Sequence, residues 1–312
     1  MTEYPVNRRC PLTGEAASRV LGYAPASVVA AANPTYRQNY AEILGISPDD
    51  EFPFVESPSG FVYAGWLPPD DFLRHVYEDV IDHSRTVTTT IPYRQALLEF
   101  GSALFRIVAL RRKDSAPLRL LDFGCGYGAL LQILTSRDII SVGYEPSAER
   151  GKHTIADGRF PLLTTVDELK AAGPIDLFVC TEVLEHVPNP REVLRLLKEV
   201  AAPSALLAVT VPQCDPPAVA EAFATFAAEG RLFGVFNPWE HLNYFSSASL
   251  HRMMAEEGFE VVRDYGAAAA AREALARIGE PAPIKDRLRN AARLFKRTLV
   301  APPSTQLFLR SV

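Results

Sequence analysis

Three glycines at alternate positions, Gly124, Gly126 and Gly128, follow a run of apolar residues and precede a helical pattern. Glycine adopts positive φ without strain and lets a ligand approach the bare backbone. The first turn of a helix adds N–H donors that have no partner inside the helix. A strand, a glycine loop and a helix in this order therefore predict a ligand-binding turn. Its spacing differs from the Gly-x-Gly-x-x-Gly of nicotinamide-binding proteins.

Two acidic residues accompany this turn. Asp122 stands two positions before Gly124, where its carboxylate would repel a pyrophosphate and favours a ligand with cationic groups. Glu145 ends the next apolar stretch, which reads as the second strand of a doubly wound sheet. An acid at that position can accept hydrogen bonds from the hydroxyls of a ribose. A third buried-strand pattern ends at Thr181 and is followed by the segment 182–187.

These three segments, in this order and spacing, resemble the class I S-adenosylmethionine-dependent methyltransferases over residues 118–262. The resemblance implies an α/β fold with a Rossmann-like, doubly wound, mostly parallel sheet, and S-adenosylmethionine as the cofactor. The residues that it assigns to the cofactor are Asp122, Gly124, Cys125, Gly126, Gly128, Glu145 and Thr181. A domain of the same fold that binds another nucleoside, or that has lost catalysis, is the alternative.

The alternation of strand and helix patterns predicts the same parallel sheet independently of the resemblance. The strands are expected near residues 118–123, 140–145, 160–164, 175–180 and 205–211. The helices are expected near residues 128–136, 147–156, 166–172, 190–201 and 246–257. These elements define a predicted cofactor-binding domain over residues 113–265.

Residues 1–112 are predicted to form an N-terminal cap or substrate module. Frequent prolines exclude long helices before residue 70, and short strands are expected at 18–23 and 60–66. The stretch resembles the N-terminal module of sugar and natural-product methyltransferases, in which cysteine knuckles bind zinc. Here Cys10 has no cysteine partner nearby, and a lone thiolate cannot build a four-ligand site. We therefore expect no structural zinc and no metal ligands in the chain, and a simple β cap is an equal alternative for this module.

Two further segments flank or interrupt the predicted cofactor domain. The insertion 212–245 is rich in aromatic residues and is interpreted either as a lid over the acceptor or as a satellite core. Residues 266–312 are predicted to form a helical, basic C-terminal extension. Within this extension, residues 284–299 carry an apolar stripe among basic residues. The stripe fits peripheral contact with an anionic membrane surface. Alternatively, it packs on its own domain or on a second protomer, as in a homodimer.

The segment Trp239–Phe245 contains the candidate catalytic residues His241, Glu240 and Tyr244. It resembles a stretch of methyltransferases that C-methylate nucleotide-linked deoxysugar ketones, in which the histidine is implicated in proton abstraction. An ordinary histidine pKa near 6.5 suits a general base at neutral pH. A structural role for His241 is the alternative. His186, after the fourth predicted strand, is a further candidate that either faces the acceptor or holds its loop.

The net charge, the cysteine content and the length of the apolar runs narrow the expected function and location of the protein. The net charge of −5 and the pI near 5.8 give no electrostatic case for nucleic-acid binding. Four scattered cysteines fit a reducing, cytoplasmic location, and no apolar run is long enough to span a membrane. The prediction is thus a methyltransferase for a small-molecule acceptor, a sugar or secondary metabolite of natural-product biosynthesis. An O- or N-methyltransferase that acts by proximity without a base and a non-catalytic binding module are the alternatives.

Overall fold

The computed structural model describes residues 1–84, 117–134, 139–155, 160–232, 234–261 and 305–310. Its strands are β1 Arg19–Pro25, β2 Glu51–Glu56, β3 Val62–Ala64, β4 Leu118–Phe123, β5 Ile139–Tyr144, β6 Leu162–Leu163, β7 Ile175–Thr181, β8 Ala201–Thr210, β9 Asn243–Tyr244, β10 Phe259–Val261 and β11 Thr305–Arg310. Its α-helices are α1 Ala26–Ala31, α2 Tyr40–Leu44, α3 Asp70–His75, α4 Ala129–Leu134, α5 Ala148–Ile155, α6 Val166–Ala172, α7 Pro190–Glu199, α8 Pro216–Glu229 and α9 Ser247–Glu256. A π-helical turn, Val76–Val80, continues α3.

The larger sheet has seven strands in the order β10-β11-β8-β7-β4-β5-β6. The strands from β8 to β6 pair in parallel, and β11 runs antiparallel to both of its neighbours. Helices follow the parallel strands, so the side chains of these strands are buried on both faces of the sheet. In the sequence, such strands are continuous apolar runs. Phe178, Val179 and Cys180 of β7 are buried in this way. The predicted Rossmann-like sheet is confirmed, with strand ends that differ by a few residues.

The C-terminal end of the chain departs from the prediction. We expected 266–312 to be helical, but residues 305–310 form β11, which lies between β8 and β10. The helical prediction is therefore wrong for this strand. An apolar run as short as Leu307–Leu309 does not distinguish strand from helix by its periodicity, and a strand here supplies hydrogen-bond partners to two sheet edges. Residues 93–110, whose apolar residues recur at helical spacing, and the basic stripe 284–299 lie outside the described residues.

The smaller sheet has four antiparallel strands in the order β1-β2-β3-β9. The short strands expected from the sequence are present as β1 and β3, and β2 and β3 are joined by the expected turn. The fourth strand, β9, comes from the far end of the aromatic insertion and pairs Asn243 with Tyr63. The N-terminal residues and the insertion therefore share one sheet.

Aromatic side chains of the insertion pack against the N-terminal strands. The ring centroids of Phe54 and Phe223 are 5.2 Å apart, and those of Phe52 and Trp239 are 5.6 Å apart. Trp239 is fully buried. Of the two interpretations of the insertion, this packing supports a core shared with the N-terminal strands. Helix α8, within the insertion, was not expected from the sequence. The boundaries of the three predicted domains stay a prediction.

Buried charges tie these parts to the larger sheet. The Arg8 guanidinium donates to the Pro188 carbonyl oxygen and to Oδ1 of Asn243, both at 2.7 Å. Burial lowers the pKa of Arg8 to about 10. Elsewhere, Glu257 accepts hydrogen bonds at 2.9 Å from both Arg191 and Arg195 of α7. These contacts hold α7 against the end of α9.

The following statements about disulfides and membrane-spanning helices apply only to the described residues. The cysteines found there, Cys10, Cys125, Cys180 and Cys214, are buried, and none of them forms a disulfide with another described residue. Among the helices of this part of the chain, none is both long and apolar enough to cross a membrane.

Candidate functional site

The glycine loop joins β4 to α4 at the carboxyl edge of the larger sheet. Gly124, Gly126 and Gly128 all have positive φ, between 55° and 75°. The N–H groups of Gly124 and Cys125 donate to the carbonyl oxygen of Tyr144, at 2.8 and 3.1 Å, and so fasten the loop to the end of β5. A Cβ on Gly124 would lie 2.6 Å from the side chain of Val183. The loop thus closely approaches the segment that follows β7.

Glu145 bridges the glycine loop and the start of α5. Its Oε2 accepts from the N–H of Gly126, and its Oε1 accepts from the N–H of Ser147, both at 2.9 Å. A carboxylate has about four acceptor positions, so these two bonds leave capacity for ribose hydroxyls.

Asp122 is 2% exposed, and its Oδ1 has no hydrogen-bond partner among the described residues. Burial, aided by the charge of Glu145, raises the pKa of Asp122 to about 7. An unpaired carboxylate oxygen next to a glycine loop is stabilised by a cationic group. The structure therefore fits the ammonium and sulfonium charges of S-adenosylmethionine.

The structure brings the sequence-predicted cofactor residues to one sheet edge. Asp122, the three glycines and Glu145 surround the ends of β4 and β5. Thr181 ends β7, the neighbour of β4, and is partly buried. Cys125 is buried, and its Sγ would lie 2.7 Å from a Cβ on Gly143. Its thiol therefore packs against β5, which agrees with an expected contribution through its backbone.

A second polar centre lies where the segment after β7 meets the end of the insertion. The N–H groups of Leu242 and Asn243 donate to the carbonyl oxygen of Glu185, at 2.7 and 3.0 Å. This pairing brings the imidazole rings of His186 and His241 to a centroid distance of 4.6 Å. Two candidate residues from distant parts of the sequence thereby occupy one site.

Backbone carbonyl groups orient both rings. Nδ1 of His241 lies 2.8 Å from the Val235 oxygen, and Nδ1 of His186 lies 3.1 Å from the Glu240 oxygen. A carbonyl oxygen only accepts hydrogen bonds, so the Val235 contact places the proton of His241 on Nδ1. For His186, the Glu240 contact requires the proton on Nδ1, whereas the Tyr77 hydroxyl, 2.8 Å from the same atom, can donate or accept. In a neutral ring the lone pair is then on Nε2. Burial, with the charges of His241 and Arg150, holds the pKa of His186 well below its usual value, so this ring is neutral.

Glu185 lies beside these rings and is 1% exposed. Its Oε1 is 3.7 Å from Nε2 of His186, and neither carboxyl oxygen has a hydrogen-bond partner among the described residues. Burial, and then the charge of Glu182, raises the pKa of Glu185 well above its usual value. The sequence interpretation did not select Glu185, because no local pattern shows that its side chain faces two imidazoles.

The two other candidate catalytic residues contact the N-terminal part of the chain. The carboxylate of Glu240 accepts from the Tyr36 hydroxyl and from Nδ2 of Asn237, so it is the Glu240 backbone that contacts His186. Tyr244 is buried with its ring 5.2 Å from that of Phe236. Both residues therefore have packing or supporting contacts, and a catalytic role for either stays a prediction.

A strap formed by residues 77–83 connects the two centres. The Tyr77 hydroxyl is 2.8 Å from Nδ1 of His186, and the Arg150 guanidinium lies 4.9 Å from the Tyr77 ring centroid. At the other end, Nδ1 of His83 is 2.6 Å from the Tyr127 hydroxyl in the glycine loop. The sequence patterns did not indicate that Arg150 lies beside this strap. The π-helical turn at Tyr77 is a backbone feature frequent at functional sites.

Comparison with known proteins agrees with this geometry. The family described as "Methyltransferase domain" matches residues 93–264, more than half of the chain. Ubiquinone biosynthesis O-methyltransferases of Escherichia coli O139:H28 and of Escherichia fergusonii are each 32% identical to it over 93 residues. The match covers 27% of this chain, and the chain spans 39% of the length of these curated relatives.

Two solved structures match most of this chain at low sequence identity. The plantazolicin methyltransferase BpumL in complex with SAH matches 76% of this chain and 93% of its own, at 14% identity and a TM-score of 0.49. An O-methyltransferase family protein from Burkholderia thailandensis matches 72% of this chain and 56% of its own, at 13% identity and a TM-score of 0.43. The family match and the glycine loop on a Rossmann-like sheet lead to one assignment: the chain belongs to the methyltransferase domain family.

Proposed function

We propose that this enzyme methylates a hydroxyl oxygen, or an acidic carbon, of a small-molecule acceptor such as a sugar or secondary metabolite. The observation that carries the proposal is the pair of imidazoles, His186 and His241, beside the cofactor loop. When bound, S-adenosylmethionine supplies an electrophilic methyl group that the acceptor attacks in line with the departing sulfur. The protein must hold the two reactants together and give the acceptor proton a destination.

The proposed donor site uses the predicted residues in distinct ways. The backbone of Gly124, Cys125, Gly126 and Gly128 lies against the amino-acid part of the donor, and the Asp122 carboxylate pairs with its ammonium group. Glu145 would accept hydrogen bonds from the ribose, and Thr181 would contribute through its backbone. Two observations support this assignment: Oδ1 of Asp122 has no hydrogen-bond partner among the described residues, and the Glu145 carboxylate has acceptor positions that its two hydrogen bonds leave unused.

The proposed acceptor site lies between the strap and the histidine pair. Burial first, and then the charges of Glu240, Glu185 and Glu145, raise the pKa of Tyr77 well above its usual value. Tyr77 thus lies within electrostatic range of both the cofactor acid and the second polar centre. An acceptor placed beside Tyr77 would lie between the strap and the histidine pair.

We assign proton removal to Nε2 of His241. Its Nδ1–H is fixed on the Val235 carbonyl oxygen, which leaves Nε2 as the acceptor nitrogen. A positioned base contributes about 10²–10⁴-fold to the rate. Methyl transfer by proximity alone is the competing mechanism, since positioning supplies about 7–11 kcal/mol. The O-methyltransferase relatives favour an oxygen acceptor.

The test is an assay of S-adenosylhomocysteine release with a library of hydroxylated small molecules. With an acceptor in hand, His241→Asn should lower kcat about 100-fold and leave the affinity for S-adenosylhomocysteine unchanged. His251→Asn is the matched control, because His251 lies on α9, bonded to the Ser247 carbonyl oxygen of its own helix. Full turnover of folded His241→Asn would establish proximity alone. Cofactor binding without release for any acceptor would instead favour a non-catalytic module.

A further inference from the structure

We propose that Glu185, His186 and His241 bind one divalent transition-metal ion, with Zn²⁺ as the best match to the ligand set. One ligand atom from each residue lies within 4.8 Å of the other two. The three residues come from two chain segments that are joined by the hydrogen bonds of Leu242 and Asn243 to the Glu185 carbonyl oxygen. The site goes beyond the proposed methyl transfer, because binding of the ion requires neither donor nor acceptor.

The orientation of the imidazoles is that of metal ligands. Both Nδ1 atoms are engaged by backbone carbonyl oxygens, of Glu240 and of Val235. In metal sites the ligating histidine generally donates its other N–H to a carbonyl or carboxylate, which fixes the ring and the tautomer. The Tyr77 hydroxyl, 2.8 Å from Nδ1 of His186, adds an outer contact on the same side of the ring. Both Nε2 lone pairs are therefore available to an ion.

The carboxyl group of Glu185 is an independent sign of a cation. It is almost fully buried, and both of its oxygens lack a hydrogen-bond partner among the described residues. The neighbouring atom is Nε2 of His186 at 3.7 Å, which carries a lone pair in this tautomer. In its ionised form the Glu185 carboxylate only accepts, and so does Nε2 of a His186 ring that is protonated on Nδ1. An uncompensated buried carboxylate is costly unless it is paired or coordinates a metal.

The ligand types select the class of ion. Two imidazole nitrogens and one carboxylate suit zinc, iron, cobalt or manganese, whereas Mg²⁺ and Ca²⁺ prefer sites built from oxygen atoms. Zn–N and Zn–O distances near 2.1 Å imply ligand atoms about 3.4 Å apart in a tetrahedron. The ligand atoms of the cluster lie within 4.8 Å of one another, so they must draw together by at most about 1.4 Å around the ion.

Three protein ligands leave a coordination position for an acceptor hydroxyl. Coordination to the ion lowers the pKa of that hydroxyl. In the ion-loaded enzyme, the O–H bond breaks and the proton passes to solvent water. The oxygen then forms its bond to the methyl carbon while the carbon–sulfur bond breaks and sulfur keeps the electron pair. In this state Nε2 of His241 is a ligand, and the imidazole acts as the proton acceptor only in ion-free enzyme.

This site differs from the zinc site that the sequence argues against. The expectation of no metal rested on the missing cysteine partners of Cys10, which is buried and forms no disulfide with another described residue. The present ligands are histidine and glutamate, and they come together only in the folded chain. A Cys10→Ser variant therefore separates the two locations.

Metal binding is measured on the full chain after treatment with a chelator. Calorimetry with Zn²⁺ should show one ion per chain. Co²⁺ should give the visible absorption of a low-coordinate site with nitrogen and oxygen ligands. Glu185→Gln and His241→Asn should each weaken Zn²⁺ binding by more than 100-fold, beyond the roughly 10–100-fold expected for loss of an outer contact. Cys10→Ser and His251→Asn should bind Zn²⁺ as the unaltered chain does.

If the buried Glu185→Gln variant folds poorly, the His241→Asn variant still decides the test, because His241 is only partly buried. Its Co²⁺ spectrum reports metal binding, and circular dichroism verifies that it is folded. Absence of stoichiometric binding, or equal affinity in folded His241→Asn and His251→Asn, would overturn the proposal. Neither measurement uses methyl transfer, so failure of the metal site is distinguishable from failure of the proposed function. Stimulation of kcat by Zn²⁺ that is lost in His241→Asn would further support the metal site.

Discussion

The imidazole ring of His186 stands at 78° to that of His241, with 4.6 Å between the ring centroids. One ring belongs to the segment that follows β7 of the larger sheet, and the other directly precedes β9 of the smaller sheet. Hydrogen bonds from Leu242 and Asn243 to the Glu185 carbonyl oxygen hold the two segments together. The second polar centre is thus built at the meeting line of two sheets.

Cofactor affinity should depend on pH through Asp122. Its pKa is raised to about 7, and the ionised carboxylate is the form that pairs with an ammonium group. The affinity for S-adenosylhomocysteine should therefore be highest above pH 7 and fall as the pH drops through 7 to 6. Calorimetry over this range measures the change. Asp122→Asn should bind more weakly and show a flatter profile; an equally steep profile in this variant would assign the titration to another group.

Glu145→Ala should weaken binding of S-adenosylhomocysteine. The substitution removes the proposed ribose contacts, each worth about 1.5–3 kcal/mol, and also the anchor of the Gly126 N–H. Glu199→Ala, which alters a surface residue paired with Lys170, is the control and should bind normally. Unchanged calorimetric affinity in Glu145→Ala would contradict the ribose assignment.

Gly124→Ala should destabilise the fold more than Gly126→Ala. Both residues have positive φ, which costs a residue with a Cβ about 1–3 kcal/mol. The new methyl group at 124 would also meet Val183 at 2.6 Å, whereas nothing lies within 4 Å of a Cβ at 126. Chemical denaturation gives both free energies of unfolding. Adding Val183→Ala should rescue part of the loss in Gly124→Ala and none in Gly126→Ala.

The Glu257 cluster should contribute stability that is lost in acid. Burial acts to raise the pKa of Glu257, but hydrogen bonds and charges from Arg195 and Arg191 outweigh it and lower the pKa. Its contribution is complete above the unfolded pKa of about 4.3 and declines as the pH falls toward the lower folded value. Glu257→Gln should cost about 2–3 kcal/mol at pH 7, by analogy with charged hydrogen bonds. Denaturation curves of the variant and the unaltered chain should converge as the pH falls below 4; a constant difference would contradict this linkage.

Features encoded within a short stretch of sequence were predictable. The glycine loop, the acids at the ends of β4 and β5, and helix α6 over Val166–Ala172 follow from local conformational preferences. Thr165 caps that helix through a reciprocal capping box with Glu168. Such signals need no knowledge of distant contacts.

Features that depend on tertiary pairing were not predictable in the same way. His186 and His241 were each candidates, but their sequence positions do not reveal that they meet. For Glu240 the functional group facing His186 is the backbone carbonyl, which every residue possesses, so its identity carried no signal. Arg150 reaches Tyr77 from a helix that the sequence assigned to the cofactor domain. Strand β11 joins the sheet by pairing with β8, which is distant in sequence.

The origin of β9 limits how this enzyme can be recombined. The strand completes the N-terminal sheet by pairing with β3, while Nδ2 of Asn243 donates to the carbonyl oxygens of Leu184 and Val187 in the other sheet's loop. A chimera that exchanged residues 1–84 alone would leave β9 and the aromatic insertion facing a foreign surface. The N-terminal strands are therefore not an independent module that can be exchanged alone. A functional chimera requires that residues 1–84 and 212–245 be exchanged together. These two segments form one structural unit although they are far apart in the sequence.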